Sequence, residues 1–340
     1  MSQTIFVAIV VIPGTARSAV YGLIDLFQSA NRILAELQQA PDIAFQTVCW
    51  QIEQDPLATP EIMDIPPSLI IVPPVLEGQA YLEPQPVVCS FLQNWHRQGT
   101  VISSACAGAF LLAQAGLLEG RKATTHWQLE GAFRYQYPHV ELDTDAMLLA
   151  DSDLVTAGGV MSWMDLGLHL IGRYVPPTVV QALGRFLLVD TGVRQQSYYR
   201  SFIPVLDHSD RVILGVQHHI HREYAQPLSV IQMAELAHLT ERTFIRRFHK
   251  ATGLKPGEYL QQQRLHKAKE LLENTETTIE RVAWRVGYED VSAFRRMFQK
   301  RTGLTPSQFR ERFSSRAIDG VKGAGWDQAP GLITPSSIPT

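Results

Sequence analysis

The 340-residue sequence predicts a doubly wound α/β domain on a parallel sheet, followed by an all-α domain with two helix-turn-helix motifs. Three observations predict it. Apolar runs alternate with helical patterns over the first half of the chain. Residues 234–256 return as a near-copy at 283–306. The charge also changes sign along the chain: residues 1–207 carry ten Lys/Arg against nineteen Asp/Glu, and 208–313 carry eighteen against twelve. A basic module joined to an acidic one suits a part that meets phosphates and a part that avoids them.

The elements follow in order. FVAIVVI (6–12) reads as a buried strand, because an unbroken apolar run rich in Val and Ile fits a sheet covered on both faces. It is too short to span a bilayer, and the N-terminus lacks a signal peptide's basic lead and cleavage site. A helix around 21–37 and a strand FQTVCW (45–50) come next. SLIIVPP (68–74) is a strand closed by a proline turn, ahead of a helix over 86–98. TVISSACAGAFLLAQAGLL (100–118) runs from strand into helix. Strands near 123–125 and 154–157 precede helices over 162–174 and 178–189. Apolar strands between amphipathic helices mark the doubly wound architecture. The polar stretch RQQSYYRSFIPVLDHSD (194–210) marks a joint. The expected division is a domain over 1–190, a linker over 191–209, a helical domain over 210–313 and a disordered tail over 314–340, rich in Gly, Pro and Ser.

A hydrophobic fraction of 45% and a charged fraction of 19% belong to an ordinary globular chain with no membrane span. Cys49, Cys89 and Cys106 show neither metal-ligand spacing nor a disulfide framework. No metal and no cofactor is expected, and the expected compartment is a reducing cytoplasm.

In the repeat, Phe244, Arg246, Phe248, Thr252, Gly253, Leu254 and Pro256 recur fifty positions on as Phe294, Arg296, Phe298, Thr302, Gly303, Leu304 and Pro306. Ala234 maps on Ala283 only forty-nine on, so the second copy has one extra turn residue. Both alanines sit where two helices approach closely, and Ala237 and Gly287 are expected to open the turns. The phenylalanine pairs, spaced i,i+4, should point inward. That leaves Arg242, Thr243, Arg246 and Lys250 facing out from the first helix, and Ser292, Arg295, Arg296, Gln299 and Lys300 from the second. Arginine offers bidentate donors to guanine, while hydroxyls and lysine suit phosphates. Residues 257–272 read as an amphipathic bridge with Tyr259, Leu260, Leu265, Ala268 and Leu271 on its apolar side. Such a rod would hold the two reading helices about one DNA turn apart, near 34 Å. On these residues 210–313 resemble the C-terminal domain of the AraC/XylS family. The resemblance implies double-stranded promoter DNA and RNA polymerase as partners, with binding as a homodimer.

TVISSACAGAFLLAQAGLLEGRKATTHW (100–127) is a recipe for a nucleophile elbow. Small residues permit the tight turn, and a helix N-terminus lowers a thiol pKa and offers amides to an anion. His126 follows a short apolar strand, as a base would. Trp127 and Trp163 suit core or pocket wall, and Asp165 suits a helix cap or a support for a pocket residue. The segment resembles the ThiJ/PfpI superfamily, which is glutamine-amidotransferase-like and flavodoxin-like in fold. With PGTARSAVYGLIDLFQSAN, SLIIVPP and VTAGGVMSWMDLGLHL, the resemblance covers nearly all of residues 4–175. The whole chain resembles the GlxA-type subgroup, where the α/β domain serves as sensor and dimerisation unit.

One departure bears on catalysis. The superfamily's enzymes place an acidic residue beside the cysteine, and Ala19 stands at that position here. Asp25 is a turn and a half further along the helix. No catalytic residue is therefore assigned. Cys106 remains open to four roles: packing, ligand contact, nucleophile or redox switch. Ser104, Cys106, Ala107, His126 and Trp163 are expected to line a ligand crevice at the carboxyl ends of the strands. The elbow would favour an anion there, and the tryptophans a quaternary amine. The expected function is sequence-specific transcription regulation under a small metabolite. The alternative is a cysteine-dependent hydrolase or hydratase fused to a DNA-binding module.

Overall fold

The computed structural model describes residues 3–37, 42–51, 66–192 and 194–314. The chain divides into two compact units between Ser197 and Tyr198. The disordered tail expected over 314–340 lies, after Ser314, outside the described residues.

In the first unit the strands are β1 (Gln3–Val11), β2 (Ile43–Gln51), β3 (Leu69–Val72), β4 (Val101–Ala105), β5 (Lys122–Ala123), β6 (Glu141–Leu142), β7 (Leu148–Ala150) and β8 (Leu154–Ala157). Six of them form one sheet in the order β2-β1-β3-β4-β8-β7. The first five pair in parallel, with Val7 opposite Leu69 and Ser103 opposite both Ile71 and Val155. The edge strand β7 is antiparallel to β8, so the sheet is mixed where a parallel one was expected. The cause is local: only the turn 151–153 joins the two strands, and a turn that short can only fold the chain back. The strand expected near 123–125 shrinks to β5, which pairs with β6 in a separate ribbon.

Alternation along each strand sorts the side chains to two apolar layers. Ile5, Val7 and Ile9 face one layer, under α1 (Arg17–Glu36), α5 (Trp163–Ile171) and α6 (Pro177–Leu187). Ala8, Val10 and Ile70 face the other, under α2 (Pro86–Arg97), α3 (Gly108–Gln114) and α4 (Glu130–Gln136). At the rim of the second layer Asp153 binds Arg121 through both oxygens, at 2.5 and 3.0 Å, and His96 at 2.7 Å. Arg121, and then His96, hold its carboxyl well below the usual carboxylate range. A depressed carboxylate stabilises the fold above its unfolded pKa and loses that contribution as pH falls. The acid limb of the stability curve, below about pH 4, is therefore expected to flatten in Asp153→Asn when urea midpoints are compared across pH.

The second unit is helical: α7 (Arg211–Glu223), α8 (Val230–Leu236), α9 (Glu241–Thr252), α10 (Pro256–Asn274), α11 (Ile279–Arg285), α12 (Val291–Thr302) and α13 (Pro306–Phe313). It has two cores. α7, α8, α9 and the start of α10 enclose the first, and the rest of α10 with α11, α12 and α13 encloses the second. The bridging helix thus serves both. Tyr259 and Leu260 enter one core, and Leu265, Ala268 and Leu272 the other. Leu271, expected on the apolar side, is half-buried, while Gln263 and Lys269 are buried. A helix packed on more than one side has no single stripe to read.

Half of the stretch expected as a linker is bound to this unit. Lys269 Nζ donates to the carbonyl of Arg200 at 2.8 Å. Gln217 Nε2 donates to the carbonyl of Val205 at 2.9 Å and to Tyr259 Oη at 3.0 Å. Phe202 stands edge-on to Tyr259, and Tyr199 edge-on to Phe313. The preceding residues belong to the first unit instead. Gln196 is buried there and donates to the Thr125 and Ala146 carbonyls. Among the described residues no helix is long and apolar enough to cross a membrane.

Candidate nucleic-acid interface and the cysteine elbow

The two helix pairs are built alike. Ser229 caps α8 in a capping box with Gln232, and Thr278 caps α11. α9 and α12 each end in a left-handed glycine, Gly253 at φ 73° and Gly303 at φ 80°. The threonine before each is buried and closes the helix end. Thr252 Oγ1 donates to the Phe248 carbonyl at 2.8 Å and accepts from the Leu254 amide at 3.2 Å; Thr302 repeats both bonds with Phe298 and Leu304 at the same distances. Pro256 and Pro306 then open α10 and α13, where no amide donor is needed. Thr-Gly-Leu-x-Pro is thus a stop-and-restart device.

The turn between paired helices corrects the alignment of the copies. The sequence pairs Gly287 with Ala237 at the start of the turn, but the backbone matches it with His238. Leu239 N donates to the Ala234 carbonyl as Tyr288 N does to that of Ala283. His238 (φ 52°) and Gly287 (φ 85°) hold the left-handed position. The forty-nine offset therefore persists through this residue, and the extra residue falls after it, ahead of α12.

Phe244, Phe248, Phe294 and Phe298 are fully buried and fix which side of α9 and α12 turns outward. At 100° per residue, Arg242, Arg246 and Lys250 lie opposite the first pair and are exposed. Thr243 is half-buried and shares a hydrogen bond with Thr240. Ser292, Arg295, Arg296, Gln299 and Lys300 are exposed on α12. His249 was missed. It is exposed on the same face of α9, at the position that Gln299 occupies fifty residues on, so the repeat itself carried the signal.

The two faces differ electrostatically. Arg295 pairs with Glu280 at 2.8 Å, and Arg296 lies 3.7 Å from Asp290, whose other oxygen caps α12. No ion pair among the described residues holds Arg242, Arg246 or Lys250. Other basic residues are structural. Arg247 binds both oxygens of Asp210, Arg264 donates to the Tyr224 and Gln226 carbonyls, and Arg310 donates to that of Thr277. Charge counted along the sequence therefore overstates the charge available to a polyanion.

The elbow is present. Cys106 has φ 54°, a left-handed value that costs a side-chain-bearing residue about 1–2 kcal/mol. Its amide donates to the Ala157 carbonyl at 2.8 Å, and its carbonyl accepts from Thr125 Oγ1 at 2.7 Å. Gly108 is required behind it, since a β-carbon there would lie 2.6 Å from the Val72 carbonyl oxygen. The surroundings, however, reverse the expected acidity. The thiol is 4% exposed, and burial pushes its pKa up to about 11, outweighing the Ala107 amide.

Of the remaining expected site residues, Ala107 shares the apolar layer of Cys106 and Trp163 does not. Ser104 and Ala107 are buried, and the Ser104 hydroxyl has no hydrogen-bond partner among the described residues. His126 Nδ1 accepts from the Gln128 amide, capping a short turn, and burial lowers its pKa. Trp163 packs in the opposite apolar layer from Cys106, so tightly that a β-carbon on Gly22 would lie 2.3 Å from its ring. Ala19 is fully buried in that opposite layer too, and Asp25 is exposed. Asp165 holds Arg194 through both oxygens. Among the described residues no cluster of His, Cys, Asp or Glu could hold a metal ion.

Comparison with known proteins agrees with this division. The DJ-1/PfpI family matches residues 57–173 and the helix-turn-helix domain family matches residues 233–312. The HTH-type transcriptional regulator CdhR of Pseudomonas aeruginosa is 30% identical over 66% of this chain and 67% of its own length. GbdR of the same organism is 26% identical over 65% of this chain and 60% of its own length, so the match leaves two fifths of that relative uncovered. GlxA of Rhizobium meliloti is 26% identical over 66% of this chain and 69% of its own. With both domain families matched, and an HTH-type transcriptional regulator 30% identical over two thirds of its own length, the chain belongs to the AraC-type helix-turn-helix transcriptional regulators that carry an N-terminal DJ-1/PfpI domain.

Proposed function

We propose that the protein reads promoter DNA with α9 and α12 in successive major grooves, as a cytoplasmic homodimer that contacts RNA polymerase and answers to a small ligand in its α/β unit. The observation that carries the reading is the pair of matched outward faces, Arg242–Arg246–Lys250 and Ser292–Arg296–Lys300, each backed by a buried phenylalanine pair. A helix whose apolar side is anchored and whose other side bears exposed Arg and Lys has the shape and charge for a groove. Genomic binding sites of the full chain, mapped and then titrated at several salt concentrations, test it. Specific sites with paired half-sites and a steep salt dependence support the reading. Affinity that ignores both sequence and salt removes it.

The elbow geometry of Cys106 favours one competing reading, a cysteine-dependent hydrolase or hydratase. The buried thiol and the apolar Ala19 argue against it. A thiol with a pKa near 11 has about one thiolate in ten thousand at neutral pH. Iodoacetamide should therefore label native Cys106 slowly, with a rate still climbing above pH 10, and much faster after unfolding. A labelling midpoint below pH 8 would restore the nucleophile.

A further inference from the structure

Between α5, α6 and the loop after α6, the α/β unit holds a cavity of about 550 Å3, bordered by none of the five residues expected to line a pocket. That volume suits a small organic ligand. Leu168 of α5 and Pro177 and Val180 of α6 supply apolar walls, with Met147 beside β7.

The charged groups on the wall are not equally committed. Arg194 donates to both oxygens of Asp165, and each neutralises the other. Asp190 turns an oxygen onto the Gly192 amide at 2.8 Å. Arg173 donates one nitrogen to the Ser152 carbonyl, and no carboxylate among the described residues pairs with it. One helical turn before it, the half-buried His169 imidazole makes no hydrogen bond to the described residues. Burial, and then Arg173, lower the His169 pKa, so its imidazole is neutral at neutral pH.

We propose that this cavity binds a small organic monocarboxylate, with the carboxylate on Arg173 and His169 and an aliphatic or aryl body against Leu168, Val180 and Pro177. An anion supplies the counter-charge that Arg173 lacks, and a guanidinium–carboxylate bond is among the strong ones. With the Arg194–Asp165 pair cancelling, the charged groups left to a ligand are the Arg173 guanidinium and Asp190, which already accepts from the Gly192 amide. The charged residues that share the cavity wall with His169 are Asp165 of α5, Arg173 just past the end of that helix, and Asp190 and Arg194 of the loop, while α6 and β7 line the cavity without charge. A carboxylate added to that set favours the charged imidazole, so binding and protonation of His169 strengthen each other. The proposal rests on the α/β unit being the ligand-binding part. Its test reads ligand binding directly, and DNA affinity is measured in parallel.

The test uses the full chain with isobutyrate and benzoate as probes, and isobutyramide and benzamide as their neutral counterparts. The His169 imidazole resonance, assigned by its loss in His169→Gln, is titrated against pH with and without each probe. The carboxylates should raise the His169 midpoint and bind at least about tenfold more tightly than the amides. Arg173→Gln should lose about tenfold of that affinity. Val180→Trp, which fills the cavity without touching the charges, should block binding. Equal binding of acid and amide, an unmoved His169 midpoint, unchanged affinity in both variants, or no binding up to about 20 mM overturns the site. Carboxylate binding that meets these criteria but leaves DNA affinity unchanged supports the site and removes only the ligand control proposed above.

Discussion

Alanine at both Arg246 and Arg296 is expected to abolish sequence-specific DNA binding by the full chain while leaving its fold intact. Both side chains are exposed and neither supports a core. Each single change should cost about 1–3 kcal/mol, about 5- to 150-fold in affinity. Arg246→Ala should cost more. Arg296 shares its charge with Asp290 at 3.7 Å, whereas Arg246 has no ion pair among the described residues. The salt dependence separates two roles for each arginine. Loss of a phosphate contact lowers the slope by about 0.9 and weakens all sequences alike; loss of a base contact relaxes preference at one position. Asp290→Asn should tighten binding, since it removes an anion from the groove-facing end of α12. Filter-binding isotherms within about twofold of wild type for the double variant would show that neither helix reads DNA.

Gly287→Ala is expected to destabilise the helical unit by about 2–4 kcal/mol. Two costs combine. A β-carbon at φ 85° is strained by itself. It would also lie 2.6 Å from the Ala225 carbonyl oxygen and 2.9 Å from the Arg264 guanidinium, which is already held by the Tyr224 and Gln226 carbonyls and lies over the Tyr288 ring. The first copy provides the control. His238 occupies the same left-handed position with its side chain exposed, so His238→Gly should shift stability by less than about 1 kcal/mol, relief of strain offsetting the freedom glycine adds to the unfolded chain. Hydrogen exchange of the α10–α12 amides in the full chain reports both changes. Equal protection in Gly287→Ala and wild type would falsify the steric account.

The repeat made the reading helices legible before any coordinates. Phenylalanines four apart, a Thr-Gly-Leu-x-Pro stop and a basic outer stripe are all local patterns, and α9 and α12 carry each of them. His249 is equally legible from the repeat, since it stands fifty residues before Gln299. The register of the turn was not legible, because one extra residue can be placed on either side of Gly287 until the backbone shows which residue is left-handed. The mixed edge of the sheet escaped for another reason: three-residue β7 is too short for an alternating pattern to declare itself.

Periodicity, spacing and turn chemistry depend on residues a few positions apart, so the sequence alone determined the two-domain order, the duplicated reading helices and the shape of the elbow. Whether a group is charged or available depends on what the fold brings beside it from far along the chain. Tertiary structure therefore decided that Cys106 is buried and weakly acidic, that Arg247 and Arg264 are braces for Asp210 and the Tyr224 region, and that Trp163 packs on Gly22. It also decided that a cavity opens beside His169 and Arg173. Burial and pairing are properties of three-dimensional neighbourhoods, and no local pattern encodes them.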